Sequence, residues 1–151
     1  MNRMSEEEIK SAVREFVEAY ARRDVEKLAS FLADDVVWAQ SEGTFKGKEE
    51  AKRFLTWEAK NTPGLRLRDA GLGILVKGSK AIYEHVFDST SLDGGASHDI
   101  PAVGVFEFKD GKIQRHRLFY DRLSVAKQAA KGWVARNVVG AVVNGFEKGL
   151  R

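Results

Sequence analysis

Cysteine is absent from the 151 residues, which excludes a disulfide framework, a thiolate metal site and a cysteine nucleophile, and permits a reducing compartment. Apolar runs long enough to cross a bilayer are missing too, because a spanning helix needs about 20 consecutive apolar residues. An excess of one charge sign is nearly missing: 25 Lys and Arg stand against 22 Asp and Glu, interspersed along the whole chain, for a formal net charge of +3. A phosphate-binding face needs clustered Lys and Arg. The nearest approach, Lys109, Lys112, Arg115, Arg117 and Arg122 around one hairpin, reads as a solvated edge, so no nucleic-acid partner is expected. The opening Met1 to Lys10 is acidic and polar, without the basic start and apolar stretch of a secretory signal; a cytoplasmic location is expected.

What is present is the composition of one globular domain over 1–151, 43% hydrophobic and 31% charged, with no compositional break that would split it. Residues 5–21 carry Ile9, Val13, Phe16, Val17 and Tyr20 at helical spacing, opened by Ser5 and Glu8 in the pattern of a capping box. A short second helix follows from Val25 to Leu32 and ends at Asp34-Asp35. Val36 to Gln40 reads as a strand, and Gly43 and Gly47 mark a turn before a third helix from Lys48 to about Lys60. Its apolar stripe runs through Ala51, Phe54 and Leu55, with Glu58 at the next helical offset, and Pro63-Gly64 stops it.

From there the period changes to two. Strands are predicted over 65–76, 81–89, 100–109 and 113–121, separated by Gly78-Ser79, Asp93-Gly94-Gly95 and the two-residue Asp110-Gly111 turn. Helices followed by long antiparallel strands predict an α+β fold, with the N-terminal helices laid on a bent sheet. Residues after Asp121 turn helical again, and a C-terminal extension over 132–151 repeats Val134, Val138, Val142 and Phe146 every four residues, with Leu150 alongside. That segment reads as a core-docking or dimer-forming helix; a lid, or a membrane-surface helix flanked by Lys131, Arg136, Lys148 and Arg151, are the other readings.

The run from Ala19 to Leu28, with Arg22-Arg23-Asp24 at its centre, and the run from Phe31 to Trp38 resemble the start of SnoaL-like polyketide cyclases, ketosteroid isomerases and limonene epoxide hydrolases. Phe108 to Ile113, Tyr120-Asp121 and Gln128 are similar to the closing hairpin of that group, which belongs to the nuclear-transport-factor-2-like superfamily. The resemblance spans about residues 5–130. It implies a cone-shaped barrel around a cavity for a small apolar organic molecule, a homodimer and no cofactor. It also implies what is missing. In the epoxide hydrolase pattern Trp38 and Gln40 hold the places of a water-positioning aromatic and amide, but His85, Phe87 and Leu118 stand where an arginine and two aspartates belong. In the isomerase pattern Phe16, Gln40 and Gly104 replace the tyrosine and the two acids. Both activities are disfavoured, because neither proton relay can be built from these side chains. The cyclase pattern makes Asp121 an acid/base candidate, against its reading as the cap of the next helix.

A period of two places Trp38, Gln40, Tyr83, His85, Phe87, His98, Ala102, Gly104, Phe106, His116, Leu118 and Tyr120 on the inward face. All three histidines fall there. His85 and His116 are therefore the candidate proton carriers, with Asp121. Trp38, Gln40, Tyr83, Phe87, Phe106, Leu118 and Tyr120 are the candidate substrate contacts. Three imidazoles on the inward face also suit zinc with one open position; they come from different strands, their convergence is left open by the spacing, and no metal is assigned. Asp88 and Glu84 fall outward, as partners for Arg115 and Arg117 across the sheet. The functional expectation is an acid/base enzyme of cyclase, isomerase or hydratase type. A non-catalytic ligand-binding or dimerisation module is the alternative.

Overall fold

The computed structural model describes residues 3–149. Among them five helices and six strands follow in the order α1 (Glu6–Ala21), α2 (Val25–Phe31), β1 (Leu32–Gln40), β2 (Gly43–Lys46), α3 (Lys48–Asn61), β3 (Gly64–Lys77), β4 (Lys80–Thr90), β5 (Ala96–Lys109), β6 (Lys112–Tyr120), α4 (Arg122–Ala129) and α5 (Gly132–Phe146). The strands form one curved, unclosed sheet in the order β2-β1-β6-β5-β4-β3. Only the β1–β6 pair is parallel, and every other neighbour is antiparallel.

Local chemistry accounts for the helix boundaries. Ser5 and Glu8 close the capping box at the start of α1, each satisfying the other's backbone amide. Asp24 caps α2 by accepting from the Lys27 amide at 3.0 Å. Between them Arg23 adopts φ 59°, the left-handed region that a residue with a Cβ enters at a cost of roughly 1–3 kcal/mol. The second helix stops at Phe31, one residue before the sequence reading, and Asp34 and Asp35 lie inside β1 instead of ending the helix. Two acidic residues fit there because they sit at exposed strand positions. Gly43 and Gly47 bracket a short strand, β2, which pairs with β1 and was not legible as a strand.

Helix α1 lies against β3 and β4 and buries Ile9, Val13, Phe16 and Val17 in the main core. Phe16 is the hub of that core, its ring centroid 5.4 Å from Phe106, 5.9 Å from Trp38 and 5.9 Å from Phe31. The Asp110-Gly111 hairpin forms as predicted, both residues at positive φ. Bulges bend the sheet. Asp69 pairs with His85 and Ile74 with Tyr83, so four residues of β3 oppose Glu84 alone.

A second bulge moves His98. Phe87 pairs with Ile100 but Ser89 pairs with Ser97, so Asp88 opposes both His98 and Asp99. Asp99 takes φ 52° and gives its amide to Asp88 at 2.9 Å. The extra residue reverses the facing beyond it: Ser97 is buried, and the His98 side chain is 68% exposed. Outward charges also pair differently from the expectation. Asp88 binds Arg68 at 2.7 Å, Glu84 accepts from the Leu72 amide, and Arg117 binds Glu107 at 2.9 Å.

The extension does not dock into the core. Val143 is its buried residue, while Trp133, Val134, Val138, Val142 and Phe146 are exposed. Leu150 and Arg151 lie outside the described residues. No helix among the described residues is long and apolar enough to cross a membrane.

Because Phe16 joins the helical layer to the sheet, Phe16→Ala is expected to lower the unfolding free energy by about 3–5 kcal/mol. Urea denaturation of the two proteins measures it.

Candidate functional site

Between α1, α3 and α4 and the inner face of the sheet lies a cavity of about 310 Å³. That is the lower end of the size range of small-molecule sites, about 300–1,000 Å³. Its wall is mainly apolar. Phe16, Leu65, Leu67, Phe87, Phe106 and Leu118 line it, with Val125 of α4 across the opening. Gly104 keeps the floor open: a Cβ there would stand 3.2 Å from the Phe106 ring and 3.6 Å from His116 Nε2.

Of the residues singled out from the sequence, Tyr83, His85, Phe87, Phe106, His116, Leu118 and Tyr120 reach this cavity. Trp38 and Gln40 stand one layer behind it, and Trp38 is completely buried. His98 does not converge with the other imidazoles, and no group of three or more metal-binding side chains forms among the described residues.

The two inward histidines differ. His116 is packed 4.0 Å from Trp38 and 4.7 Å from Phe106 between ring centroids, with Phe16 at 5.9 Å. Its Nδ1 is buried without a hydrogen-bond partner. Burial pushes its pKa down to about 3, so it is neutral. His85 stacks on Tyr83 at 4.4 Å, the rings 7° from parallel, with Nδ1 3.1 Å from the Tyr83 carbonyl oxygen. A carbonyl only accepts, so Nδ1 carries the hydrogen and Nε2 keeps its lone pair. Burial lowers the His85 pKa as well. The platform is held from outside: Arg14 of α1 binds Asp69 of β3 through two contacts of 2.8 Å, and Tyr83 Oη donates to Asp69 at 3.0 Å.

Asp121 is withdrawn from the site. Its carboxylate accepts from the Ser124 amide at 2.9 Å and from the Ser124 hydroxyl at 2.5 Å, capping α4. Those bonds hold its pKa below the ordinary value.

The polar end of the cavity was largely missed from the sequence. Glu58, at the fourth position of the α3 apolar stripe, enters the wall with its side chain 16% exposed. Tyr20 Oη donates to its Oε2, Gln40 Nε2 reaches Oε1 at 3.4 Å, and Arg23 Nη1 lies 3.9 Å away. Burial raises the Glu58 pKa despite those partners. Glu42, nearer the surface, has the opposite balance. Burial raises it, but bonds from Tyr120, Gln40 and Ser41 outweigh that and hold it below its ordinary value. Tyr120 Oη donates to Glu42 at 2.7 Å and lies 2.7 Å from Ser41 Oγ. Burial pushes the Tyr120 pKa up to about 12, so the phenol stays protonated. The signal that finds Glu58 is a carboxylate on an otherwise apolar helical stripe, and Tyr20 sits likewise on the apolar face of α1.

The sequence profile of the SnoaL-like domain matches residues 13–116. Among solved structures, a candidate polyketide cyclase from Xanthomonas campestris is similar at 21% identity and a TM-score of 0.74, covering 82% of this chain and 98% of that one. An NTF2-like protein of unknown function from Burkholderia pseudomallei gives 22% and 0.73, with 85% and 100% covered. An LEH-like epoxide hydrolase from M. tuberculosis gives 22% and 0.69, with 90% and 96% covered. Likeness at these identities establishes the fold. No curated protein matches the chain.

Two outcomes follow from the site geometry. An unfolded histidine titrates near 6.5 and His116 in the fold at about 3, so between these values the unfolded chain binds a proton that the folded chain refuses. The stability held by the neutral imidazole is whole above pH 6.5 and is lost as pH falls toward 3. His116→Phe is expected to flatten this acid slope in urea midpoints taken across that range. Asp121→Ala is expected to cost about 1 kcal/mol of stability while leaving ligand affinity in the cavity unchanged, as calorimetry and fluorescence titration would report.

Proposed function

From the premise that this chain belongs to the SnoaL-like domain family, we propose that it is an acid/base enzyme of cyclase, isomerase or hydratase type acting on a small apolar organic molecule without a cofactor. The supporting observation is the cavity itself: an apolar wall ending in a few convergent polar groups whose proton affinities burial has moved. His85 offers Nε2 to the ligand as a hydrogen-bond acceptor. Tyr120 offers a hydroxyl, and Gln40 orients the carboxylates from behind. His116 serves as a neutral floor and not as a base, since a group titrating at about 3 has little affinity for a substrate proton at neutral pH.

A homodimer through the outer sheet face is part of this reading, supported by the exposed Ile82 and Phe119 on that face. One observation favours the alternative of a non-catalytic binder: two of the three sequence-suggested proton carriers, His116 and Asp121, are occupied, one by burial and one by capping.

Cyclohexanone in deuterated buffer separates the two readings. The enzyme reading expects exchange of the hydrogens next to the carbonyl, followed by NMR, at least about tenfold faster with protein than without. Leu118→Trp, which fills the cavity, is expected to abolish the gain. Binding without exchange, or exchange that survives Leu118→Trp, would leave the acid/base reading without support.

A further inference from the structure

Two carboxyls line the cavity, Glu42 and Glu58, and only Glu58 is almost wholly withdrawn from solvent. Glu58 comes from α3, at the end of a stripe whose other members, Ala51, Phe54 and Leu55, are buried. It costs free energy to place a carboxylate on such a stripe, and the fold surrounds this one with donors. The arrangement begins at Trp38. An indole N–H can only donate, and Trp38 Nε1 donates to Gln40 Oε1 at 3.0 Å. The amide is thereby oriented, and its NH₂ faces both carboxylates, Glu42 at 2.9 Å and Glu58 at 3.4 Å. Tyr20 supplies a second donor to Glu58.

Arg23 completes the group by an unusual route. Its backbone is held in the left-handed region at the α1–α2 junction. From there its guanidinium bonds Thr62 at the end of α3 and stands 3.9 Å from Glu58. At that distance the arginine biases the carboxyl toward its charged form without a direct hydrogen bond to it. A carboxylate has about four lone-pair directions, and Tyr20 and Gln40 occupy two. Glu58 itself lines the cavity.

Resting on the acid/base reading above, we infer that Glu58 is the catalytic residue that takes up and returns the proton, with Tyr20, Gln40 and Arg23 as its positioning residues. In the forward step the ligand's C–H bond breaks and its proton forms an O–H bond on Glu58. The C–H electron pair passes into the ligand's own acceptor, a carbonyl or a leaving oxygen. In the return step the Glu58 O–H bond breaks and its proton reaches a different ligand atom, leaving the carboxylate as it began. Glu42, held ionised by Tyr120, Gln40 and Ser41, is the fixed charge of the pair, and Glu58 the exchangeable one.

Nitrobenzisoxazole tests the assignment on the full chain. A base removes its one acidic C–H, the N–O bond breaks and a coloured cyanophenolate forms, with no other reactant. Wild-type protein is expected to accelerate this ring opening. The rate should rise with pH through a midpoint above 4.5, the ordinary glutamate value. Glu58→Gln, which keeps the shape and one of the two acceptor oxygens but cannot take up the proton, is expected to lose at least about 100-fold in kcat together with the pH-dependent limb. Tyr20→Phe shifts the midpoint without removing the limb. A carboxyl carbon titration of labelled Glu58 by NMR, at the same midpoint, supplies a readout independent of turnover.

Retention of the limb in Glu58→Gln with its loss in His85→Ala overturns the Glu58 assignment and leaves the acid/base reading intact. Absence of acceleration by a wild-type protein that binds the probe overturns both.

Discussion

The molecule depends on where the imidazole of His116 is kept. It sits at the junction of the layers, stacked on Trp38 of β1, against Phe106 of β5 and beneath Phe16 of α1. Charging it would place a cation in the aromatic centre, so burial keeps it uncharged, and the centre stays apolar. The ring lies on the parallel pair β1 and β6, where Trp38 stands opposite His116. The floor of the cavity follows from the same contact, because Gly104 leaves the space in front of this ring unfilled.

Polar chemistry is then displaced to one end. The apolar floor contains His85 and His116, both with lowered proton affinity, and the two carboxyls stand where α3 and the β1–β2 turn meet. Their environments push them apart: Glu42 is stabilised as an anion by three donors, and Glu58 is driven toward its protonated form by burial. Such a division of two like groups by surroundings alone is how one site holds both a fixed charge and a movable proton. Tyr83 plays a structural part in the same arrangement, carrying the His85 ring while its hydroxyl is tied to Asp69 and thereby to Arg14.

Much of the fold was legible because its signals are local. The α1 stripe, the Ser5–Glu8 capping box, the Asp110-Gly111 turn and the alternation along β4 and β6 each act within a few residues, and each appears where the pattern placed it. Facing was legible only as far as alternation continued unbroken. It placed His85 and His116 correctly and failed at His98, where one extra residue opposite Asp88 reverses inside and outside. Glu58, Tyr20 and Arg23 were illegible as a site because three separate elements bring them together. Asp121 showed the reverse: a residue type that suits catalysis was claimed by its nearest helix. The α5 stripe was clear as periodicity, yet periodicity does not say what lies opposite, and within this chain little does.

The bulge at Asp88 separates two parts of β5 that would otherwise move together. Along an uninterrupted strand, a one-residue insertion or deletion turns every following side chain to the other face. Here the 91–95 loop and the first residues of β5 lie on one side of the extra residue, and Ile100, Ala102, Gly104 and Phe106 lie on the other, paired in fixed register with Phe87, His85, Tyr83 and Ala81. A change in the length of that loop can therefore be absorbed at the extra residue, so that engineering there leaves Gly104 and Phe106 facing the cavity.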